Sequence, residues 1–202
     1  MGIRLPTKSV GEKKLIELIL YISKLCADDP FFGSTKLNKI LYFSDFLAYG
    51  SFGKAITGVA YQHLEKGPAP RMLFPVRARM IEGGDLRLDS RMDPFGYEQK
   101  RPFALREANL DLFEFKELTL VNHVKVALAQ ANATEASNIS HREVGYKTTK
   151  MKETIPYASI FLSDEPLNQA EIKFGQEKWA ESVNVNANNN RRQPTSNAVQ
   201  AA

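Results

Sequence analysis

Between Ser34 and Tyr49 the chain carries Leu37, Ile40, Leu41, Phe43, Phe46 and Leu47, too many apolar residues for one face of a helix. A helix that is apolar on more than one face has to be packed on more than one face, so this segment is expected at the centre of the fold. Lys36, Lys39 and Asp45 interrupt its apolar surface. Ser34 or Thr35 is expected to cap its start, and Gly50 and Gly53 to close it. Ahead of it, Leu15, Leu18, Ile19, Ile22 and Cys26 recur at helical spacing over Gly11 to Ala27. Asp28-Asp29-Pro30 ends that first helix, because a residue before proline is pushed out of helical geometry.

Beyond the central helix the period changes. Ile56 to Leu64 alternates and reads as a strand, and Gly67-Pro68-Ala69-Pro70 fixes a rigid turn. Met72, Leu73, Val76 and Met80 form the stripe of a third helix, in which Pro75 implies a late start or a kink, and Gly83-Gly84 stops it. Leu86 and Leu88 begin a strand that pairs with a second near Tyr97 to Leu105, where Pro102 suits an edge position. Asp111 with Glu114 is a capping-box-like start for a fourth helix reaching about Ala131. A shorter helix follows near Thr134 to Arg142, then an apolar turn over Ile155 to Leu162 and a last amphipathic element from Pro166 to Trp179. The expected fold is α+β and predominantly helical, with a winged-helix-like order of elements and a small antiparallel sheet.

With 43% hydrophobic and 25% charged residues among 202, the chain can bury a core. After Val183 the composition becomes Asn-rich, without apolar periodicity, so burial there cannot offset ordering entropy. The expected division is an extension over residues 1–10, one domain over 11–183 and a mobile tail over 184–202. The longest apolar run, Leu18 to Ile22, is far short of the roughly 20 residues of a membrane-spanning helix. The start lacks the apolar stretch of a secretion signal, and the single cysteine, Cys26, can form no internal disulfide. These features place the chain in the cytoplasm, with no membrane partner.

Residues for chemistry are sparse. His63, His123 and His141 show no ligand spacing, so no metal is expected. Cys26 lies on an apolar stripe and reads as core rather than nucleophile. No dinucleotide, Walker or nucleophile-elbow motif occurs, so neither a cofactor nor catalysis is expected. Charge is placed unevenly. Lys66 to Arg106 holds seven Arg and two Lys against five acids, although the whole chain is only +4. This basic stretch contains the third helix and the hairpin, so Arg71, Arg77, Arg79, Arg87 and Arg101 could reach phosphates as in a winged-helix regulator. Scattered solvated side chains explain an excess of that size equally well.

Thr35 to Phe46 (TKLNKILYFSDF), Gly53 to Gly58 (GKAITG), Ala60-Tyr61 and Gly67 to Pro70 occur in an order that resembles the Panacea domain family of SocA-like antitoxins. Ser140-His141 and Ile155-Pro156-Tyr157 look like the distal helices of that family, so the resemblance covers roughly Gly11 to Leu162. Where relatives carry a tryptophan after the Ser-His pair, this chain has Gly145-Tyr146, and its segment between Arg91 and Arg106 is long. The resemblance implies an antitoxin of a bacterial or phage toxin-antitoxin pair that neutralises a cognate toxin by direct binding. A cytoplasmic protease is a further implied partner, and the rival reading is the winged-helix-like DNA-binding regulator, autorepression of its own operon included. The residues expected to face outward to a partner are Lys36, Lys39, Tyr61, His63, Lys66, Arg71 and Arg77. Arg and Tyr dominate binding hot spots, which favours Tyr61 and Arg71 among them.

Overall fold

The computed structural model describes residues 9–166 and 168–190, with side chains as far as Glu181. Two units divide at Leu162/Ser163, earlier than the expected boundary at residue 183. The first unit is helical apart from a three-stranded sheet and a hairpin, the α+β architecture that the sequence implied.

Helix α1 (Val10–Leu25) begins where the Ser9 hydroxyl accepts from the Glu12 N–H at 3.1 Å. It buries Leu15, Leu18, Ile19 and Ile22 as its periodicity requires. Its end is held from a distance. The buried Arg101 guanidinium of the later hairpin donates to the carbonyls of Cys26 and Ala27, and to Asp29 at 2.7 Å. A cation at a helix C-terminus satisfies orphan carbonyls and opposes the macrodipole. Arg101→Met leaves those carbonyls unpaired in the interior, and urea denaturation is expected to show a loss of about 3 kcal/mol.

Helix α2 (Ser34–Phe52) is the central helix, with Leu37, Ile40 and Leu41 fully buried, each contributing about 1.5 to 3 kcal/mol. Its cap differs from the expected one. Gly33 is the N-cap, and the Ser34 hydroxyl instead donates to the Lys100 carbonyl at 2.9 Å, tying α2 to the hairpin. Gly53, at φ 71°, closes the helix in left-handed geometry, and Gly50 lies inside it against Ile160.

The strand expected over 56–64 is reduced to β1 (Tyr61–Gln62), which pairs antiparallel with β2 (Ala69–Pro70) and β5 (Thr154–Ile155) in the order β2-β1-β5. Residues Ile56 to Ala60 do not extend it, because the Thr57 N–H donates to the Asp45 carboxylate at 2.7 Å rather than to a ladder partner. Helix α3 (Leu73–Glu82) is unkinked by Pro75, which occupies its first turn, where an N–H has no intrahelical acceptor. Strands β3 (Leu86–Met92) and β4 (Glu98–Ala104) form the expected hairpin, with Pro102 opposite Leu88.

A short 3-10 turn, Leu110–Leu112, precedes α4 (Phe115–Ala127), which starts later than Asp111 and ends before Ala131. The reciprocal contact belongs to the next pair along, since the Glu114 N–H donates to the Glu117 carboxylate at 2.9 Å. Asn132 caps α5 (Ala133–His141), a brief α6 (Val144–Lys147) follows, and a 3-10 turn over Tyr157–Phe161 ends the unit.

In the second unit α7 (Gln169–Asn190) runs longer than the expected amphipathic element. Asn168 and Glu171 cap it reciprocally, at 2.9 and 3.0 Å. The expected start of the tail at Asn184 falls inside this helix, where each added residue gains one hydrogen bond once the helix is nucleated. Residues 1–8 of the expected extension and 191–202 of the expected tail lie outside the described residues. Among the described residues, no helix is long and apolar enough to cross a membrane.

Candidate functional site

Two regions of the first unit concentrate features that a helical core does not need. One is a polar seam where α2, the Gly67 turn and α5–α6 meet. The other is an apolar cleft where α4 and α5 both pack on α2.

The seam forms around Lys39. Its side chain passes under the turn that begins at Gly67, and Nζ donates to the Pro68 carbonyl at 3.3 Å. A Cβ on Gly67 would lie 2.3 Å from Lys39 Nζ and 2.5 Å from Ser140 Oγ, and the residue's φ of +89° also favours glycine. The backbone therefore favours glycine here, and any side chain would also force Lys39 and Ser140 to shift. Beside it, the Tyr146 ring is stacked between two imidazoles, 3.8 Å from His63 and 4.4 Å from His141. Tyr146 supplies the middle ring and donates its hydroxyl to the Leu64 carbonyl at 2.9 Å. Burial lowers His141 from its ordinary value, reinforced by the neighbouring Lys39 and His63 side chains.

Burial brings Lys39 itself down to about 7. Its folded value lies below its unfolded one, so between pH 7 and about 10.4 the unfolded chain binds the extra proton and stability rises with pH through this group. Lys39→Met removes that cost. Relative to wild type, the variant is expected to gain roughly 2 to 4 kcal/mol at pH 7, with the gain vanishing near pH 10.5, as measured by denaturant midpoints across pH.

The outward orientation expected for three residues is corrected. Lys36, Lys39 and Tyr61 are each 1% exposed. Lys36 pairs with Asp29 at 2.7 Å and donates to the Ala129 carbonyl at 3.0 Å, joining the α1–α2 loop to the end of α4. Tyr61 donates to Asp45 at 2.9 Å, and the Asp45 carboxylate also accepts from Thr57 and Tyr157. Burial raises the Asp45 carboxyl above the ordinary range, although those donors oppose the shift. Lys36 and Tyr61 turn inward because each finds a carboxylate partner that offsets its desolvation, which helical periodicity does not register, whereas Lys39 is buried at a net cost with one hydrogen bond to the Pro68 carbonyl.

Of the other four, Lys66 is exposed beside the seam and His63 is half-buried within it. Arg71 is exposed but donates to the Lys152 carbonyl at 2.8 Å and the Thr154 hydroxyl at 3.0 Å. Arg77 is half-buried, donates to Ser34 at 3.3 Å and lies over the Phe74 ring. The structure thus unites Lys39, His63 and Lys66 with Ser140 and His141, and sends Lys36, Tyr61 and Arg77 elsewhere. The other arginines of the basic stretch are similarly engaged. Arg79 pairs with Glu12, Arg87 with Asp89, and Arg106 with Glu17 and Asp85.

The cleft was not expected. Phe43 and Leu47 of α2, Leu120 and Val124 of α4 and Ile139 of α5 enclose about 310 Å³. Through Leu120 and His123 it adjoins a second hollow of about 280 Å³ bounded by Phe52 and Phe115, the latter 86% exposed. The sequence did hold a signal. Helix α4 spreads Phe115, Leu118, Leu120, Val121, Val124 and Val126 over several faces, between polar residues, yet only Glu117, Val121 and Val124 are buried within the fold. Apolar residues on more than one face of a helix are ordinarily covered on more than one face.

Comparison with known proteins bears on both regions. The family described as antitoxin SocA-like, Panacea domain, matches residues 37–145, more than half of the chain. That span includes Lys39, His63, Gly67, Ser140, His141 and the whole of α4. No curated protein and no solved structure matches.

Proposed function

The chain belongs to the SocA-like, Panacea-domain antitoxin family, and from that premise we propose that it neutralises a cognate protein toxin in the cytoplasm by direct, stoichiometric binding. The observation that carries this reading is the family match over residues 37–145, a span that includes an uncovered apolar face of the kind protein partners bury. The basic stretch gives the DNA-binding alternative less support, since Arg71, Arg77, Arg79, Arg87 and Arg101 all make contacts within the fold.

Dose separates binding from catalysis. With the toxic product of a neighbouring reading frame expressed at graded levels, protection by this chain is expected to fail once toxin exceeds it one to one. Protection at a small fraction of the toxin's level would mean turnover and would defeat the reading. Tight duplex-DNA binding with a steep salt slope and no toxin complex would favour the regulator. Delivery to a protease is a further part of the proposal. Removing the residues after Val183 is expected to lengthen the protein's lifetime in cells, and an unchanged lifetime rejects this part.

A further inference from the structure

The geometry points to an amphipathic helix of the toxin, with carboxylates at one end of its apolar stripe, as the occupant of the cleft between α4 and α5. This inference rests on the antitoxin reading above and specifies the chemistry of the partner.

Three observations select a helix. The cleft is bounded by α2, α4 and α5, so its walls are cylinders and the complementary shape is another cylinder. Its two adjoining hollows follow α4 from Phe115 to Leu128, a length of about 20 Å, which takes three to four turns. The exposed lining is mostly apolar along that length, so side chains at i, i+3 or i+4, i+7 and i+11 of an incoming helix would meet Ile139, Val124, Leu120 and Phe115 in turn.

Charge selects the sign of the flank. At the Phe115 end, Lys116 lies 5.1 Å over the Phe52 ring, and it shares one carboxylate, Glu114, with the nearby positive charge of Lys54. The α4 N-terminus, capped by Glu114 and Glu117, adds its positive dipole end there. Acidic residues on the incoming helix would therefore be attracted at this end, and lysines repelled.

The test uses the full chain and the toxin product of the neighbouring reading frame. Hydrogen exchange of the complex is expected to protect Phe43 to Leu47 and Phe115 to Ala127 on this chain, and one helical, acid-flanked amphipathic segment on the toxin. Ile139→Asp is expected to weaken binding at least about a hundredfold, and Lys116→Glu about tenfold with a flattened salt dependence, both retaining wild-type helical circular dichroism. If wild type neutralises toxin and Ile139→Asp binds it with unchanged affinity, the cleft assignment is overturned while the antitoxin reading stands. Protection elsewhere, or an extended or lysine-flanked toxin segment, overturns it equally and does not depend on any variant folding. A free-chain dimer that Ile139→Asp dissociates would show a second copy to be the occupant. If wild type itself fails to bind or neutralise the toxin, the antitoxin reading falls first.

Discussion

Replacing Asp45 by alanine is expected to lower the stability of the folded chain by about 3 to 5 kcal/mol, a large share of the 5 to 15 kcal/mol typical of a domain. The carboxylate is wholly buried, and it accepts from the Thr57 backbone and hydroxyl, from Tyr61 at 2.9 Å and from Tyr157 at 3.4 Å. Alanine leaves the Thr57 N–H and the Tyr61 hydroxyl without an acceptor in the interior, and each such orphan costs about 1 to 3 kcal/mol. Tyr157 loses less, because its hydroxyl also donates to the Val59 carbonyl at 2.8 Å. The Thr57 contact is also what directs residues 56–60 away from the sheet, so the local effect should exceed the loss of one side chain. Denaturant titration measures the total, and hydrogen exchange at Thr57 and Val59 is expected to rise earliest. A loss below about 1 kcal/mol would mean that the network relaxes around the vacancy.

Gly67→Ala is the second large effect, with an expected loss of about 3 kcal/mol. Left-handed backbone costs a residue with a Cβ roughly 1 to 2 kcal/mol, and the new methyl would collide with Lys39 Nζ and Ser140 Oγ. The two causes can be separated. In the background of Lys39→Met, whose side chain is shorter, the collision is partly relieved while the backbone cost remains. A double-mutant cycle is therefore expected to show a coupling of about 1 kcal/mol or more between positions 39 and 67. Additive losses would assign the whole effect to backbone conformation. Because α5 carries Ser140, and Ile139 of the same helix lines the apolar cleft, the Gly67 variant is also expected to weaken toxin binding without any substitution in the cleft.

Local pattern was enough for much of the architecture. The density of apolar residues between Leu37 and Leu47 required a helix packed on several sides, and α2 is that helix. Glycine pairs, prolines and alternation placed α3 and the β3–β4 hairpin, because turn chemistry and strand period act within a few residues. The order of TKLNKILYFSDF, the Gly67 turn and the Ser140-His141 pair pointed to the family that the comparison bears out.

Patterns of that kind failed where a distant group decided the outcome. Lys36 and Lys39 look solvent-facing in a linear reading, but Asp29 and the Ala129 carbonyl draw Lys36 into the interior, and the packing of the Gly67 turn covers Lys39. Thr57 looks like strand until Asp45 takes its N–H, and Arg101 looks like a phosphate ligand until the end of α1 takes its guanidinium. The stack of His63, Tyr146 and His141 joins residues more than eighty positions apart at its extremes of sequence.

The amino-acid order by itself determined the first five helices, the hairpin and the family, since periodicity, capping and turn preference are short-range forces written in neighbouring residues. Tertiary structure alone decided which charges are buried, which glycine a lysine approaches and which apolar surface stays open. Those outcomes depend on desolvation and close packing between segments far apart in the chain, and such energies exist only once the segments meet.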